Sequence, residues 1–545
     1  MGGGLIQLVA YGSQDMYITG NPQITFFKSV YRRHTNFAIE SIKTIFNGST
    51  NFGQEIHAKI DRSGDLIHKM YLQIKIPAVE LKTSSSTEYI GFRWLNWLGH
   101  ILLDDVELSI GGQKIDRHTG DWYHIWNELT QTTEQGPAYA EMVGNVPKLT
   151  QVQSCNTTDS TTTDSYTLYI PLQFWFNRNP GLALPIIALQ HHDIVLKVQL
   201  RSLENCIWAS KQSGSNYNSS VGQDIWSGND KPALESVNLY TDYIFLDTAE
   251  RRRFSQVQHE YLIEQVQIKN VTIQTSETTP STKFTLNHPV KEMIWTIQPI
   301  EYRDSSITQN KGGRQYFNFT DSWDYSGFTG TPEGYFGPGM SGGRGNQNFF
   351  NGIPSIKLYG DLNSTNNWNT TSSSITDSTT AGYSYLSNYT DSGNTNLYSN
   401  RTFEHLLGPA LAQPTTGNSS GLWSATSNQM SINDSGRNPV VSGKLILNGN
   451  DRFTIREGFY FNVVQPYQHH TGSPAPGINV YSFSLKPEDY QPSGTCNFSR
   501  IDNSTLELTL TNATTLNRAA ELTIYAVNYN ILRIMSGMGG LAYSN

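Results

Sequence analysis

The sequence predicts an all-β protein made of two β-sandwiches in tandem. Between Val441 and Leu510, short alternating apolar runs are separated by clusters of Gly, Pro, Asn and Asp, which is typical of half-buried antiparallel strands joined by turns. A weaker copy occurs earlier in the chain. VELSIGGQKIDRHTGDWY (Val106–Tyr123) resembles LILNGNDRFTIREGFY (Leu445–Tyr460), and LKVQL (Leu196–Leu200) resembles LELTL (Leu506–Leu510). One β-domain is therefore expected to occur twice.

Two more pairs of blocks extend this repeat. AIESIKTI, which begins at Ala38, resembles LIEQVQI at Leu262, and KMYLQI at Lys69 resembles EMIWTI at Glu292. The two blocks start 31 residues apart in the first copy and 30 residues apart in the second. Because both order and spacing are kept, chance similarity is a poor explanation.

Composition excludes several classes of protein. The net charge of -8 gives no basic surface for wrapping nucleic acid, so direct contact with nucleic acid is not expected. Three cysteines, Cys155, Cys206 and Cys496, cannot form a disulfide framework in a chain of 545 residues, which favours free thiols in a reducing compartment. Neither a secretory signal nor a membrane span is expected.

The first segment, Met1–Thr35, is predicted to be an arm. Glycines and the Gly20-Asn21-Pro22 turn interrupt its periodic runs, while Lys28, Arg32 and Arg33 gather positive charge beside aromatic residues. Such an arm could contact an acidic or lipid-headgroup surface on the inner side of an assembly. The alternative is a solvated arm that packs on its own domain.

The first sandwich is predicted over residues 36–246 and a linker over 247–254. A short aromatic helix or turn is expected at Phe92–His100, a helix at Gly120–Leu129, and polar loops at Gln131–Ser165 and Ala209–Lys231. The predicted strands are Phe37–Ile45, Glu55–Ile60, Leu66–Ile76, a pair joined by the Gly111-Gly112 turn, Tyr166–Phe176, Ile194–Leu200 and Val237–Leu246.

The second sandwich is predicted over residues 255–545, with one long loop insertion at about 304–438. The last strand, Glu521–Ile534, is the most hydrophobic and is expected to lie centrally. The earlier strands are expected at Leu262–Ile268, Glu292–Ile297, Lys444–Leu447, Phe453–Ile455, Phe459–Val464, Ile478–Leu485 and Leu506–Leu510.

Motifs for catalysis, cofactors or metals are weak, and none of these functions is predicted. The glycine-rich segments lack the strand, helix and Lys-Ser/Thr pattern of a phosphate loop. His191-His192 and His469-His470 are adjacent pairs whose side chains would point to opposite faces of a strand, so they form no natural chelate. Cys496 has no nearby histidine signature and is expected to be a buried thiol.

Several Asn-x-Ser/Thr sequons fall in the long insertion. A chain rich in Ser, Thr and Asn produces many of them by chance, so loop glycosylation is a hypothesis only. The candidate asparagines are Asn363, Asn369, Asn388, Asn400 and Asn418.

Four long stretches carry a family resemblance. GNPQITFFKSVYRRHTNFAIE (Gly20–Glu40), LNGNDRFTIREGFYFNVVQPYQHH (Leu447–His470), YSFSLKPEDYQPSGTCNFSRIDNSTL (Tyr481–Leu506) and YAVNYNILRIMSGMGGLAYSN (Tyr525–Asn545) closely resemble major capsid proteins of nucleocytoplasmic large DNA viruses, among them algal, mimivirus-like and iridovirus-like groups. The resemblance spans the chain outside the Ser/Thr/Asn-rich loops.

The resemblance implies two eight-stranded jelly rolls, a homotrimer that forms a pseudo-hexagonal capsomer, and an icosahedral shell tiled by such capsomers. It also implies an outer-capsid location after assembly in the host cytoplasm, with no cofactor. Neighbouring capsomers, minor capsid proteins, an internal viral membrane and, through outer loops, a host surface are the expected partners.

Two alternatives of other classes remain open. In a carbohydrate-binding, adhesin-like sandwich, aromatic loop residues such as Trp368 and Tyr383 would form the binding platform. In a β-sandwich glycosidase, two carboxyl groups would face one cleft at a separation of roughly 5 to 9.5 Å.

Overall fold

The computed structural model describes residues 3–81, 88–150, 153–155, 161–213, 216–218, 231–308, 313–321, 390–391, 394–395, 438–515 and 518–543. The strands of the first half are β1 (Phe37–Ile45), β2 (Glu55–Lys59), β3 (Leu66–Ile76), β4 (Val79–Leu81), β5 (Glu88–Trp94), β6 (Leu103–Ile110), β7 (Gln113–His118), β8 (Gln153–Cys155), β9 (Thr161–Thr163), β10 (Tyr166–Pro171), β11 (Ile194–Leu200), β12 (Ile207–Ser213), β13 (Asn216–Asn218) and β14 (Ser236–Leu246).

Two four-stranded antiparallel sheets organise this half. One has the order β1-β14-β3-β10 and the other β2-β11-β6-β7. When these eight strands are numbered along the chain, the order in one sheet is first, eighth, third, sixth. The order in the other sheet is second, seventh, fourth, fifth. This interleaving is jelly-roll connectivity. Smaller sheets, β13-β12-β5-β8 and β4-β9, are added beside it.

The second half repeats this architecture after the helix Thr248–Gln256. Its strands are β15 (His259–Ile273), β16 (Ser281–Phe284), β17 (Pro289–Pro299), β18 (Thr390–Asp391), β19 (Asn394–Thr395), β20 (Val440–Leu447), β21 (Asn450–Asp451), β22 (Arg456–Glu457), β23 (Ile478–Ser482), β24 (Cys496–Asn497), β25 (Ser504–Leu510), β26 (Ala520–Met535) and β27 (Met538–Leu541).

The two large sheets of this half follow the same rule. Their orders are β15-β26-β17-β23 and β16-β25-β20-β21, so each strand has a counterpart in the first half. The long strand β26 lies between β15 and β17, which confirms the central position expected for the hydrophobic run Glu521–Ile534. The predicted duplication is thus present in the strand topology itself.

Alternation along the strands explains the core. In β3 the residues Met70, Leu72 and Ile74 are fully buried, while Lys69 is exposed and Tyr71 is half-buried. Successive side chains point to opposite faces of a sheet, so one face of each sheet is apolar and meets the other sheet of its sandwich. Leu72 and Leu239 from one sheet join Leu108 from the other in a single core.

Short helices connect and cover the sandwiches. They are Gly3–Val9, Met16–Thr19, Leu98–Leu102, Gly120–Thr130, Gly136–Val143, Pro147–Thr150, Trp175–Arg178, Leu203–Cys206, Thr248–Gln256, Ser305–Thr308, Gln465–His469 and Asn512–Thr515. Residues 300–303, 180–182, 186–188 and 498–500 form 3-10 turns.

Four local predictions were wrong. Phe92 to Trp94 lie in β5, although Leu98–Leu102 is helical as expected. The loop predicted at Gln131–Ser165 contains two helices and two short strands, and part of the loop predicted at Ala209–Lys231 forms β12 and β13. Phe453 to Ile455 lie in no strand.

The largest error concerns Phe459–Val464, which was predicted to be a strand. Tyr460–Val464 is a π-helical turn that continues into the helix Gln465–His469. The run FYFNVV is rich in aromatic and β-branched residues, which have high strand propensity. Packing prevails over propensity, because this segment occupies the place that the helix Gly120–Thr130 holds in the first half.

Candidate assembly surfaces

One amphipathic helix of the first half, Gly120–Thr130, lies on the second half and is called here the junction helix. Thr119 caps it by accepting a hydrogen bond from the Trp122 backbone N–H at 3.4 Å. Its apolar residues follow helical spacing and form one stripe. The stripe consists of Trp122, Ile125, Trp126 and Leu129, all buried.

This stripe packs on the outer face of the second half's sheet β15-β26-β17-β23. In β17, Met293 and Trp295 point into the sandwich core, whereas Ile294 between them joins the junction cluster. The ring centroids of Trp122 and Tyr525 lie 5.6 Å apart. The sheet is therefore buried on both faces, one inside its own sandwich and one beneath a helix from the other half.

Ion pairs surround this apolar contact. Nη2 of Arg303 lies 2.9 Å from Oδ2 of Asp121, and Nη1 of Arg178 lies 2.9 Å from Oε2 of Glu264. Burial would raise the pKa of Asp121, but the nearby guanidinium of Arg303 outweighs it, so the pKa is lowered. The Arg178 guanidinium also lies over the Trp126 ring, 3.9 Å from its centroid.

The C-terminal residues add a second connection. β27 pairs with β26, and the turn between them is tied to the first half, because the backbone N–H of His191 donates to the Gly537 carbonyl at 2.9 Å. Leu541 N–H donates to Oε1 of Gln113 at 3.2 Å. The C-terminal residues thus also hold the two halves together.

A buried ion cluster lies inside the second half. Nε2 of His470 is 3.0 Å from Oε2 of Glu292, and its Nδ1 is 3.0 Å from Oε1 of Glu488. Burial would lower the pKa of His470, but the two carboxylates outweigh it and raise the pKa to about 9. His470 is therefore a charged structural residue that joins β17 to the loop after β23. The neighbouring His469 is hydrogen-bonded to the Leu485 carbonyl through its Nδ1. The two adjacent histidines therefore contact different groups.

Cys206 and Cys496 have the environment of inert thiols. Cys206 is buried, and its burial raises the pKa to about 12. Burial also raises the pKa of the half-buried Cys496. A thiol that stays protonated is a poor nucleophile and a poor metal ligand.

The described residues contain no group of three or more His, Cys, Asp or Glu side chains placed to hold a metal ion. In the same residues, no helix combines the length and apolar character needed to cross a membrane.

The first residues of the chain are exposed and largely irregular in the structure. Residues 3–36 contain two short helices and no strand, and Lys28, Arg32 and Arg33 are exposed in irregular backbone. Phe26, Phe27 and Tyr31 are also almost fully exposed. The arm therefore presents cationic and aromatic side chains together, without packing them on either sandwich.

The sites proposed for glycosylation cannot be placed. Asn363, Asn369, Asn388, Asn400 and Asn418 lie outside the described residues, as do the loop aromatics Trp368 and Tyr383.

Sequence reasoning missed the junction. Trp122 and Trp126 stand at helical spacing in GDWYHIWNEL, so the apolar stripe was visible in the sequence. Its partner face was not visible, because Ile294 and Tyr525 belong to strands whose second buried face can be recognised only in the fold. In the structure, nearly all residues of β17 and most residues of β26 are buried, as expected for strands of a sheet that is covered on both faces.

Comparisons with known proteins agree with this architecture. A family model described as the N-terminus of the major capsid protein matches residues 25–247, and one described as the large eukaryotic DNA virus major capsid protein matches residues 250–540. The major capsid protein of Phaeocystis pouchetii virus is 45% identical over 572 residues, covering 100% of both chains. That of Paramecium bursaria Chlorella virus 1 is 37% identical over 569 residues, again covering 100% of both.

A solved structure is similar over nearly the whole chain. The quasi-atomic model of the PBCV-1 virus capsid matches with a TM-score of 0.60 and 32% sequence identity, covering 96% of this chain and 100% of that chain. The similarity includes both sandwiches.

Proposed function

The chain belongs to the large eukaryotic DNA virus major capsid proteins and is a structural protein of the virion's outer capsid, and from this premise we propose that three copies close into a pseudo-hexagonal capsomer. Such capsomers would tile an icosahedral shell. The division into an arm at 1–35, sandwiches at 36–246 and 255–545, and a connection at 247–254 is part of this proposal.

The observation that carries the proposal is the repetition of one strand order in both halves. Three chains then bring together six sandwiches of one kind, so a threefold ring has a nearly sixfold outline. Units of that outline can tile a flat face. Closed rotational symmetry also explains why the ring stops at three.

Size-exclusion chromatography with light scattering tests the trimer. The chain has a mass of 61.1 kDa, and we expect a particle of three times that mass at micromolar concentration. Each subunit boundary should bury on the order of 2,000 Å² or more, as in permanent assemblies. A stable folded monomer at micromolar concentration would contradict the proposal.

The arm is proposed to face the interior of the shell. Exposed Lys28, Arg32 and Arg33 beside exposed aromatic rings suit an acidic protein surface or a lipid headgroup layer. Minor capsid proteins and an internal viral membrane are the proposed partners. Direct contact with nucleic acid is not proposed, because the chain's net charge is -8.

The long insertion is proposed to face outward, where it could touch a host surface. Glycosylation of its asparagines is a separate hypothesis that the intact mass of protein from virions decides. A mass equal to that of the bare chain rules out glycans. A carbohydrate-binding role would instead be supported by glycan-array binding of an isolated monomer.

We also propose that the protein is not an enzyme and takes no cofactor, and that it assembles in the host cytoplasm. The relatives that it matches are named as capsid proteins. Hydrolysis of glycosides by the purified trimer would contradict the first statement.

A further inference from the structure

The second half carries a helical surface that is apolar and uncovered. Residues 459–469, called here the outer helix, begin with Phe459 and run through the π-helical turn into Gln465–His469. Phe459, Val463 and Tyr467 recur every four residues and are 65%, 42% and 82% exposed. Phe461, on the opposite side, packs against Trp295 in the core. The helix therefore has one face in its own sandwich and one apolar face in solvent.

The outer helix corresponds to the junction helix. Both follow the hairpin formed by the fourth and fifth strands of their sandwich. A glycine stands at the start of each helix, Gly120 in the junction helix and Gly458 directly before the outer helix. A Cβ added at Gly120 would collide with the carbonyls of His100 and Leu103, and one added at Gly458 would collide with the carbonyl of Val440. Leu103 and Val440 are each the first residue of the fourth strand. This shared close approach fixes the alignment of the two helices.

The alignment pairs buried residues with exposed ones. Five and nine residues after the glycine stand Ile125 and Leu129 in the junction helix and Val463 and Tyr467 in the outer helix. Ile125 and Leu129 are buried on the second half's sheet. The equivalent positions of the outer helix have no such cover among the residues that the structure describes.

The matching seat lies on the first half. Beneath the junction helix, Ile294 pairs in register with Tyr525. In the first half, Tyr71 pairs with Tyr240. Ile294 and Tyr71 are each the sixth residue of an eleven-residue third strand, so the two pairs occupy the same place in their sheets.

This seat is open to solvent and has the composition of an interface. Tyr71 and Tyr240 are half-buried, and Tyr169 on the neighbouring strand is exposed. Gln73 Nε2 donates to the Tyr169 hydroxyl at 2.6 Å, which holds that ring in place. Tyrosine is enriched at protein interfaces because its ring is apolar and its hydroxyl can be hydrogen-bonded.

We propose that the outer helix of one copy docks on the outer face of the sheet β1-β14-β3-β10 of a second copy, with Val463 and Tyr467 over Tyr71 and Tyr240. This inference rests on the proposed trimer and names the contact that forms it. The contact inside the chain is the template, since it already joins a helix of this type to a sheet of this type. The occupant of the seat is therefore a second copy of the chain.

The geometry of the contact is head-to-tail. Each copy offers its helix on one side and its seat on the other, which is a heterologous interface, and such interfaces form rings when the rotation closes. Contacts within and between chains then alternate around the ring. The same type of helix-on-sheet contact occurs at every boundary.

The test uses full-length protein and charge substitutions on the outer helix. Val463→Asp and Tyr467→Asp together should raise the concentration at which the trimer dissociates by about tenfold or more, because central interface residues dominate binding. Tyr490→Asp is the matched control, since Tyr490 is also an exposed aromatic residue of the second half. It should leave the trimer unchanged.

A chemical cross-link provides the second measurement. Tyr467→Cys combined with Tyr71→Cys, treated with a short bismaleimide, should give covalent dimers and trimers, whereas each single variant and the wild type give only background. The cross-linking measurement does not depend on whether the Asp variants fold. Midpoints of thermal unfolding identify any variant that is misfolded.

The outcomes separate the two proposals. If the wild type is a trimer, the Asp variant forms a trimer of equal affinity and the double cysteine variant gives no covalent dimers or trimers, the docking contact is overturned and the proposed capsomer is not. A wild type that is monomeric at every concentration overturns both. Dissociation of the Asp variant together with covalent dimers and trimers of the double cysteine variant supports the contact.

Discussion

The guanidinium of Arg303 and the carboxylate of Asp121 lie 2.9 Å apart across the junction of the two sandwiches. Asp121 belongs to the first turn of the junction helix, and Arg303 follows β17 in the second half. The same guanidinium also donates to Oε1 of Gln298 at 2.6 Å. Arg303 therefore joins the junction helix to β17, in which Gln298 lies.

Removing the carboxylate should therefore destabilise the protein. Asp121→Asn leaves Arg303 partly buried without its partner, so we expect the free energy of unfolding to fall by about 3 kcal/mol. The double variant Asp121→Asn, Arg303→Met removes both charges and should cost less than the sum of the two single variants. Urea unfolding followed by circular dichroism measures all three. If the loss of stability in the double variant equals the sum of the losses in the two single variants, the two charges do not interact.

The apolar part of the junction leads to a second prediction. Trp122 is fully buried between the two halves, so Trp122→Ala should cost about 3 to 5 kcal/mol. Because the lost contact joins the halves, calorimetry should show the single transition broadening or dividing. Tyr490→Ala, at an exposed aromatic residue, should change the stability by less than about 0.5 kcal/mol. Similar curves for the two variants would refute the role of the junction.

Much of the sandwich architecture could be predicted from alternation along the chain. Phe37–Ile45, Leu66–Ile76 and Ile194–Leu200 were predicted with the bounds that the structure has. In Leu66–Ile76 and Ile194–Leu200, one face is buried and the other partly open, which produces the period of two that sequence reasoning detects. Glycine pairs marked the hairpin turn at Gly111-Gly112, where both residues have positive φ.

The outer helix could not be predicted in the same way. FYFNVV in isolation favours a strand, and only its position after the hairpin makes it helical. Comparison with GDWYHIWNEL would have given the correct result, since the two segments are aligned by their glycines. The junction surfaces were missed for a related reason, because they depend on contacts between residues some four hundred positions apart, such as Trp122 and Tyr525.

The arm leads to a third prediction. Deleting residues 1–35 should leave trimers of normal mass, because the arm packs on neither sandwich, but these trimers should fail to form shells. Electron microscopy of assembly reactions measures this. Normal shells would refute the role of the arm.

A charge-reversed arm separates electrostatic from apolar contributions. Lys28→Glu, Arg32→Glu and Arg33→Glu together should abolish sedimentation with anionic vesicles at low salt, since each cation near such a surface contributes about 1 kcal/mol. Wild-type binding should weaken as the salt concentration rises. Binding that is insensitive to both changes would mean that the aromatic residues are responsible.

The buried cluster around His470 makes stability depend on pH. Its pKa is raised to about 9 from an ordinary value of 6.5, so its stabilising contribution is complete below pH 6.5 and is lost as the pH rises through 9. A shift of this size corresponds to about 3 kcal/mol. The pKa values of Glu292 and Glu488 are lowered. Burial opposes the shift in both, but His470 outweighs it at Glu292, and hydrogen bonds from His470 and Thr471 outweigh it at Glu488. Their contribution is present above about pH 4.5 and is lost on acidification.

Stability from this cluster should therefore be greatest between about pH 4.5 and 6.5 and should decline up to pH 9. His470→Gln removes the titrating group, so it should lower the unfolding midpoint at pH 6 and flatten the decline between pH 6 and 9. His57→Gln, at an exposed histidine, should keep the wild-type slope. Thermal unfolding across this pH range measures the three proteins. A decline in His470→Gln as steep as in wild type would place the pH dependence in other groups, because the charge that faces Glu292 would no longer change.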